Sequence, residues 1–174
     1  MKITNSMHIR RTAALLACAL PLAGQAATAA EPQGIVRHKI PNSDFPIAQA
    51  VTLPPGTTIH FISGQVPPTV DKAADPNSIA AFGDTKTQTA GVLAKIRDIL
   101  GGMGLKIGDV VKMQVFLVGD PAKGGKADVA GFMEGYTQFF GGTQPNLPTR
   151  AVVQVAGLSN PGWLVEIEVV AAKK

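Results

Sequence analysis

Residues 145–171 read PNLPTRAVVQVAGLSNPGWLVEIEVVA. Two strand-like runs, Arg150–Ala156 and Trp163–Ala171, flank a turn-forming segment that holds Gly157, Ser159, Asn160, Pro161 and Gly162. Side chains alternate along a strand, so Arg150, Val152 and Gln154 share one face, and Ala151, Val153 and Val155 the other. Glu166 and Glu168 likewise lie together, opposite Val165, Ile167 and Val169. Paired as a hairpin, the runs would set a guanidinium and one or two carboxylates on a common face. Arginine offers a planar fork that matches a carboxylate, and a neighbouring glutamate can handle a proton. On strand spacing alone the competing reading is a solvated charged edge or structural ion pairs, because exposed charge is the default.

Upstream, two amphipathic helices and four strands complete the pattern. Over Asp84–Gly104, Val92, Ile96, Ile99 and Met103 recur at steps of three and four, with Leu93 and Leu100 widening the stripe. Asp84 is a candidate N-cap, and Gly101, Gly102 and Gly104 end the helix. A second helix is expected over about Ala127–Phe140, with Val129, Phe132, Met133, Tyr136 and Phe139 on its stripe. Between them, Asp109–Val118 carries apolar residues on both faces and so reads as a central strand, followed by a loop at Gly119–Gly125. Nearer the start, Val36–Ile40, Phe45–Leu53 and Thr57–Ser63 read as strands, and Pro68–Gly83 as a long surface loop. Gly64 lets the backbone bend, or approach a ligand closely, at the end of the third strand.

The expected architecture is α/β (α+β): two helices packed on one face of a mixed sheet. Its other face still needs cover, and symmetric association of identical chains would supply it.

Lys2, Arg10 and Arg11 precede the apolar segment Ala13–Leu22 and the small-residue run Gly24–Ala30, the order of a secretory signal peptide. Cleavage after Ala29 or Ala26 would leave one domain, residues 30–174, in the periplasm or outside the cell. The rival reading is a lipoprotein signal with Cys18 as the lipidated residue. Of 16 Lys and Arg against 12 Asp and Glu, three basic residues and no acidic one leave with residues 1–29, so 13 against 12 gives +1. That charge does not call for a nucleic-acid partner. Cys18 is the one cysteine, so catalysis in the processed chain falls to carboxylates, arginine, histidine, hydroxyls or backbone groups.

Segments spread over the whole domain occur in a recognisable order: Ile62-Ser63-Gly64-Gln65-Val66-Pro67, the helix pattern from Gln88-Thr89 to Leu100, and Gly108-Asp109-Val110-Val111-Lys112. Tyr136 with Phe139-Phe140, then Pro148-Thr149-Arg150 and Val165-Glu166-Ile167-Glu168, follow. In these the chain resembles the Rid (YjgF) family of reactive-intermediate deaminases, some of whose members are described as L-PSP endoribonucleases. The resemblance implies a chorismate-mutase-like fold, a homotrimer, and ligand pockets in the clefts between subunits. It also implies a chemistry, hydrolysis of enamine or imine intermediates such as aminoacrylate to an α-keto acid and ammonia, with no metal or organic cofactor.

In that picture Arg150 matches the arginine that holds the substrate carboxylate, and Glu166 the glutamate that positions or activates water. Ser63 and Gly64 fall where the family lines its pocket, and the backbone around Val152 where it holds water or substrate. Three positions depart from the pattern: Ile47 stands where the family carries a tyrosine, Met133 at about the place of a frequent asparagine, and Val152 where cysteine is common. The expected ligand is a small carboxylated imine or keto acid, with no nucleic acid and no membrane span. The alternative on the same fold is a non-catalytic trimer that binds small carboxylates or other proteins. His38 and His60 have no Asp or Ser partner at a recognisable spacing and read as structural or surface residues.

Overall fold

The structure, a computed structural model, describes residues 32–142 and 144–174. The expected signal peptide at residues 1–29, Cys18 included, lies outside the described residues.

Two helices, α1 (Thr85–Gly102) and α2 (Val129–Tyr136), pack on a four-stranded mixed sheet. A separate two-stranded antiparallel ribbon, β1 (Val36–Lys39) and β2 (Ala48–Thr52), precedes it. The main sheet contains β3 (Thr58–Gln65), β4 (Val110–Val118), β5 (Thr149–Val155) and β6 (Val165–Lys173), in the order β3-β6-β4-β5. β4 runs antiparallel to β6 and parallel to β5, so it is central, as its two apolar faces require.

The closing runs therefore do not form a hairpin. β4 lies between them, with Met113 level with Arg150 on one side and Phe116 level with Glu166 on the other. Residues 156–164 make a connection well beyond the two to five residues of a hairpin loop. The side chain of Gln88 on α1 grips that connection: Leu164 N donates to its Oε1 at 2.7 Å, and its Nε2 donates to Gly162 O at 3.0 Å and Gly83 O at 2.9 Å. A fully buried amide is thereby satisfied on all sides.

The core lies between helices and sheet. Val92, Leu93, Ile96 and Leu100 of α1 meet Met113, Val115 and Leu117 of β4 and Val165, Ile167 and Val169 of β6, all buried. Met103, expected on the helix stripe, instead follows the last helical turn and is half exposed. Asp84 caps α1 as expected, its carboxylate accepting from Thr87 N at 2.8 Å. The second helix is shorter than its apolar stripe: α2 ends at Tyr136, and single turns carry the chain on to Phe140. Gly135 lets the two helices close up, because a Cβ there would lie 2.6 Å from Thr89 Cβ and 2.8 Å from Lys86 O.

The second strand is also shorter than its apolar run. Residues 45–47 turn instead: Ile47 N donates to Phe45 O, and Ala48 N to Pro148 O at 2.9 Å, which seats this segment over the start of β5. Arg37 of β1 fastens the ribbon to the main sheet by donating to Val110 O (2.9 Å), Leu147 O (2.7 Å) and Gly108 O (2.8 Å).

The face of the sheet turned away from the helices is open. Phe61, 82% exposed, stands on it with Ile59 and Val153.

Candidate functional site

Arg150 projects from β5 to the helix side. Its carbon Cζ lies 4.2 Å from the ring centre of Tyr136, 5.0 Å from Phe132 and 5.5 Å from Phe45. Phe132 and Tyr136 are one helical turn apart on α2, and Phe45 belongs to the turn that rides over β5, so three rings from two separate elements box the cation. Nη2 donates to Met133 Sδ at 3.2 Å, while Nη1 is buried and has no hydrogen-bond partner. Burial pushes the guanidinium below its ordinary value, opposed by Tyr136, yet an arginine stays charged. Burial likewise raises the Tyr136 hydroxyl to about 12, with Arg150 opposing, so the phenol stays neutral and donates to Pro46 O at 2.7 Å.

No carboxylate among the described residues pairs with this cation. The ion pairs present are Lys86–Glu134 and Arg97–Asp98, both on the helices. A half-buried positive charge with an unspent N–H group is a ready seat for a carboxylate, which would accept two hydrogen bonds and neutralise the charge.

Around Arg150 the structure gathers three of the expected pocket residues. Met133 touches it, Val152 lies two residues along the same face of β5 and packs on the core, and Ile47 borders a cavity shared with Phe45. The remaining three lie elsewhere. Ser63 and Gly64 sit at an irregularity of β3 between Ile62 and Gln65, and Glu166 of β6 reaches across Gly64. A Cβ at position 64 would overlap the Glu166 carboxylate, so glycine here lets that side chain lie directly against the backbone of β3.

Glu166 stands on the open face of the sheet, opposite the buried Val165 and Ile167. Within one chain it is separated from Arg150 by two strand spacings, about 10 Å, by three residues along the strands, about another 10 Å, and by the sheet itself. The common face expected from a hairpin is thus excluded within a single chain. Glu168 is likewise on the open face, where it lines a hollow of about 250 Å³ with Phe61, Ser63, Lys112 and Gln114.

Sequence reasoning found Arg150 and missed its box. Phe132 and Tyr136 read as core, and Phe45 as part of a strand; the available signal was two aromatic rings four residues apart on a helix preceding a strand with an inward arginine. Nothing in the sequence marks Arg37 as a clip. The histidines are peripheral: His38 Nε2 lies 2.9 Å from Thr52 Oγ1 on the exposed ribbon, and His60 is half-buried on β3. Among the described residues no three of His, Cys, Asp and Glu come together to hold a metal ion, and no helix is long and apolar enough to cross a membrane.

Two helices packed on this mixed four-stranded sheet are the architecture of a YjgF-type domain. The chain belongs to the Endoribonuclease L-PSP family, whose pattern it matches over residues 38–173. TdcF of Escherichia coli is 33% identical over 139 residues, covering 80% of this chain and 95% of that one. The 2-iminobutanoate/2-iminopropanoate deaminase of Salmonella typhimurium is 30% identical over 140 residues, 80% and 97% of the two chains. The solved structure of E. coli TdcF with bound serine superposes with a TM-score of 0.53 at 32% identity, over 82% of this chain and all of that one.

Proposed function

We propose that this protein is an exported deaminase that hydrolyses enamine and imine intermediates derived from α-amino acids, giving an α-keto acid and ammonia. The observation that carries the reading is the Arg150 guanidinium, boxed by three aromatic rings and lacking any carboxylate partner among the described residues. A substrate carboxylate pairs with it and fixes the orientation of the C=N carbon. Relatives at about 30% identity, one named an imine deaminase and one solved with bound serine, support a small amino-acid-derived ligand.

Glu166 is the group proposed to place and deprotonate water. The water oxygen bonds to the imine carbon while its proton passes through the carboxylate to nitrogen, giving a carbinolamine; the hydroxyl proton then passes to nitrogen by the same carboxylate as the C–N bond breaks, which leaves the keto C=O and releases ammonia. Because Arg150 and Glu166 of one chain lie on opposite faces of the sheet, the two meet only between copies. This favours a homotrimer in which the open face is covered and each cleft combines Ile47, Met133, Arg150 and Val152 of one copy with Ser63, Gly64 and Glu166 of the next. Neither a metal nor an organic cofactor enters these steps. Processing of residues 1–29 would deliver the domain to the periplasm or the medium.

Subunit mixing tests the reading. Arg150→Ala and Glu166→Gln chains should each be inactive in releasing ammonia from enzymatically generated imino acids. Refolded together in equal amounts they should regain about a quarter of wild-type activity, since one interface in four combines both native residues. A wild-type protein that leaves the spontaneous rate unchanged, while Arg150 still governs carboxylate binding, would instead establish the second reading: a binding module on the same fold. That second reading is favoured by one feature: among the described residues, the side chains in contact with Arg150 are Phe45, Phe132, Met133 and Tyr136, of which Tyr136 alone is titratable.

A further inference from the structure

The three rings around Arg150 are not held alike. Phe132 and Tyr136 are buried on α2, whereas Phe45 is 48% exposed and belongs to a turn outside any helix or strand. Its ring stays 5.5 Å from Arg150 Cζ because of what fixes that turn and the β1–β2 ribbon on either side of it. Among the described residues, hydrogen bonds between residues 36–52 and the rest of the domain are Ala48 N to Pro148 O, the Tyr136 hydroxyl to Pro46 O, and those made by Arg37. Arg37 supplies most of them: Nη1 donates to Val110 O and Leu147 O, and Nη2 to Gly108 O. Leu147 adjoins Pro148, whose carbonyl takes Ala48 N, and borders the same cavity as Phe45 and Ile47. No carboxylate among the described residues forms an ion pair with Arg37, and that of Asp109 accepts from Lys106 N instead. The guanidinium is thus spent on gathering backbone carbonyls, through charge-assisted bonds.

Given that Arg150 seats a carboxylate as proposed above, we propose that Arg37 is a positioning residue for that seat. By gripping Leu147 it sets the Phe45 turn over the start of β5, and the Phe45 ring in turn holds the Arg150 guanidinium in one orientation. A cation stacked against three rings has little rotamer freedom left for a ligand to remove. With its outermost ring displaced, that freedom returns and is lost again on binding, which weakens the complex. A guanidinium more open to water also pairs less strongly with a carboxylate. Arg37 makes its own hydrogen bonds to backbone carbonyls alone, so it acts through Phe45.

Calorimetric titration with 2-oxobutanoate, at a temperature where every variant is folded, tests this through a double-mutant cycle. Arg37→Gln and Phe45→Ala should each weaken binding about tenfold, and the double variant should bind within about twofold of Phe45→Ala, because both changes act through one ring. Arg37→Lys should lose about threefold: it keeps the charge without the fork that spans several carbonyls. It carries the same cycle, with no further loss in the Phe45→Ala background, if Arg37→Gln does not fold. Losses that multiply to about a hundredfold in the double variant would overturn the route through Phe45. A lowered melting temperature with wild-type affinity in Arg37→Gln would make Arg37 a structural clip and nothing more. Both of those outcomes leave the carboxylate seat standing, provided that wild type binds and Arg150→Ala does not. A wild-type protein that fails to bind 2-oxobutanoate would overturn the seat itself.

Discussion

Gly64 and Glu166 are fitted to one another: the carboxylate of Glu166 occupies the space where any larger residue at position 64 would place its Cβ. The β3 irregularity between Ile62 and Gln65 brings the backbone of Gly64 beneath that side chain, which stands on the opposite face of the sheet from Arg150 and two strands away from it. Position 64 is therefore a control on where the carboxylate sits and leaves the arginine box untouched.

Gly64→Ala should separate the two halves of the proposed site. The overlapping atoms are the end of a flexible side chain, so Glu166 can swing away, and stability should change by no more than about 1 kcal/mol. Displacing the carboxylate by an ångström or more should lower kcat for imine hydrolysis about a hundredfold, with keto-acid affinity unchanged. Steady-state kinetics and calorimetry on the same preparation check both halves. An active Gly64→Ala protein would remove Glu166 from the mechanism.

Arg150 is predicted to serve binding at no benefit to the fold. Replacing it by methionine removes a partly desolvated charge whose Nη1 has no partner, and fills the aromatic box with a side chain of similar reach. The melting temperature of Arg150→Met should equal or exceed that of wild type, with keto-acid binding weakened at least about a hundredfold, as for loss of a charge-assisted pair. A fall of more than about 4 °C, some 1 kcal/mol in a domain of this size, would mean that the cation–ring contacts hold the fold together.

The helices and the strand faces were legible because their signals are local. The stripe through Val92, Ile96 and Leu100 and the Asp84 cap emerged as read, and alternation correctly set Arg150 beside Val152 and Glu166 beside Glu168. Pairing of strands is a long-range property, and alternation is silent about it. The insertion of β4 between β5 and β6 depends on contacts from residues 110–118 to both, so the adjacency of two runs in sequence misled. That one error moved Glu166 away from Arg150. The box escaped notice for a related reason: Phe45 reaches Arg150 only because Ala48 N bonds Pro148 O and Tyr136 holds Pro46 O, a pair of contacts spanning some ninety to a hundred residues.

The open sheet face should be an interface between copies. Phe61 is 82% exposed there, with Ile59 on the same strand and Val153 on the opposite edge strand, β5. Phe61→Glu would bury a carboxylate with no partner if that face were covered, at a penalty of several kcal/mol for each copy. Light scattering coupled to size exclusion should report a trimer for wild type and a smaller species for Phe61→Glu, and ammonia release should fall at least about tenfold with the loss of paired half-sites. A wild-type monomer would remove the basis for a site shared between chains.

Tyr136 gives the fold a specific alkaline limit. It is the one tyrosine in the chain, so tyrosinate absorbance reports it without ambiguity. Burial raises its hydroxyl from 10.0 to about 12 in the folded protein, with Arg150 opposing, which means the folded state holds the proton more tightly than the unfolded one. The associated stability is fully present below pH 10, the unfolded value, and is lost as pH rises through about 12, amounting to about 3 kcal/mol across that window. Urea unfolding at a series of pH values should show this decline in wild type and a shallower one in Tyr136→Phe. At neutral pH that variant should itself be weaker by about 1–2 kcal/mol, because the Pro46 carbonyl loses its donor. Tyrosinate appearing near pH 10 in protein that is still folded would show that the ring is solvated, and with it that the box around Arg150 is open to water.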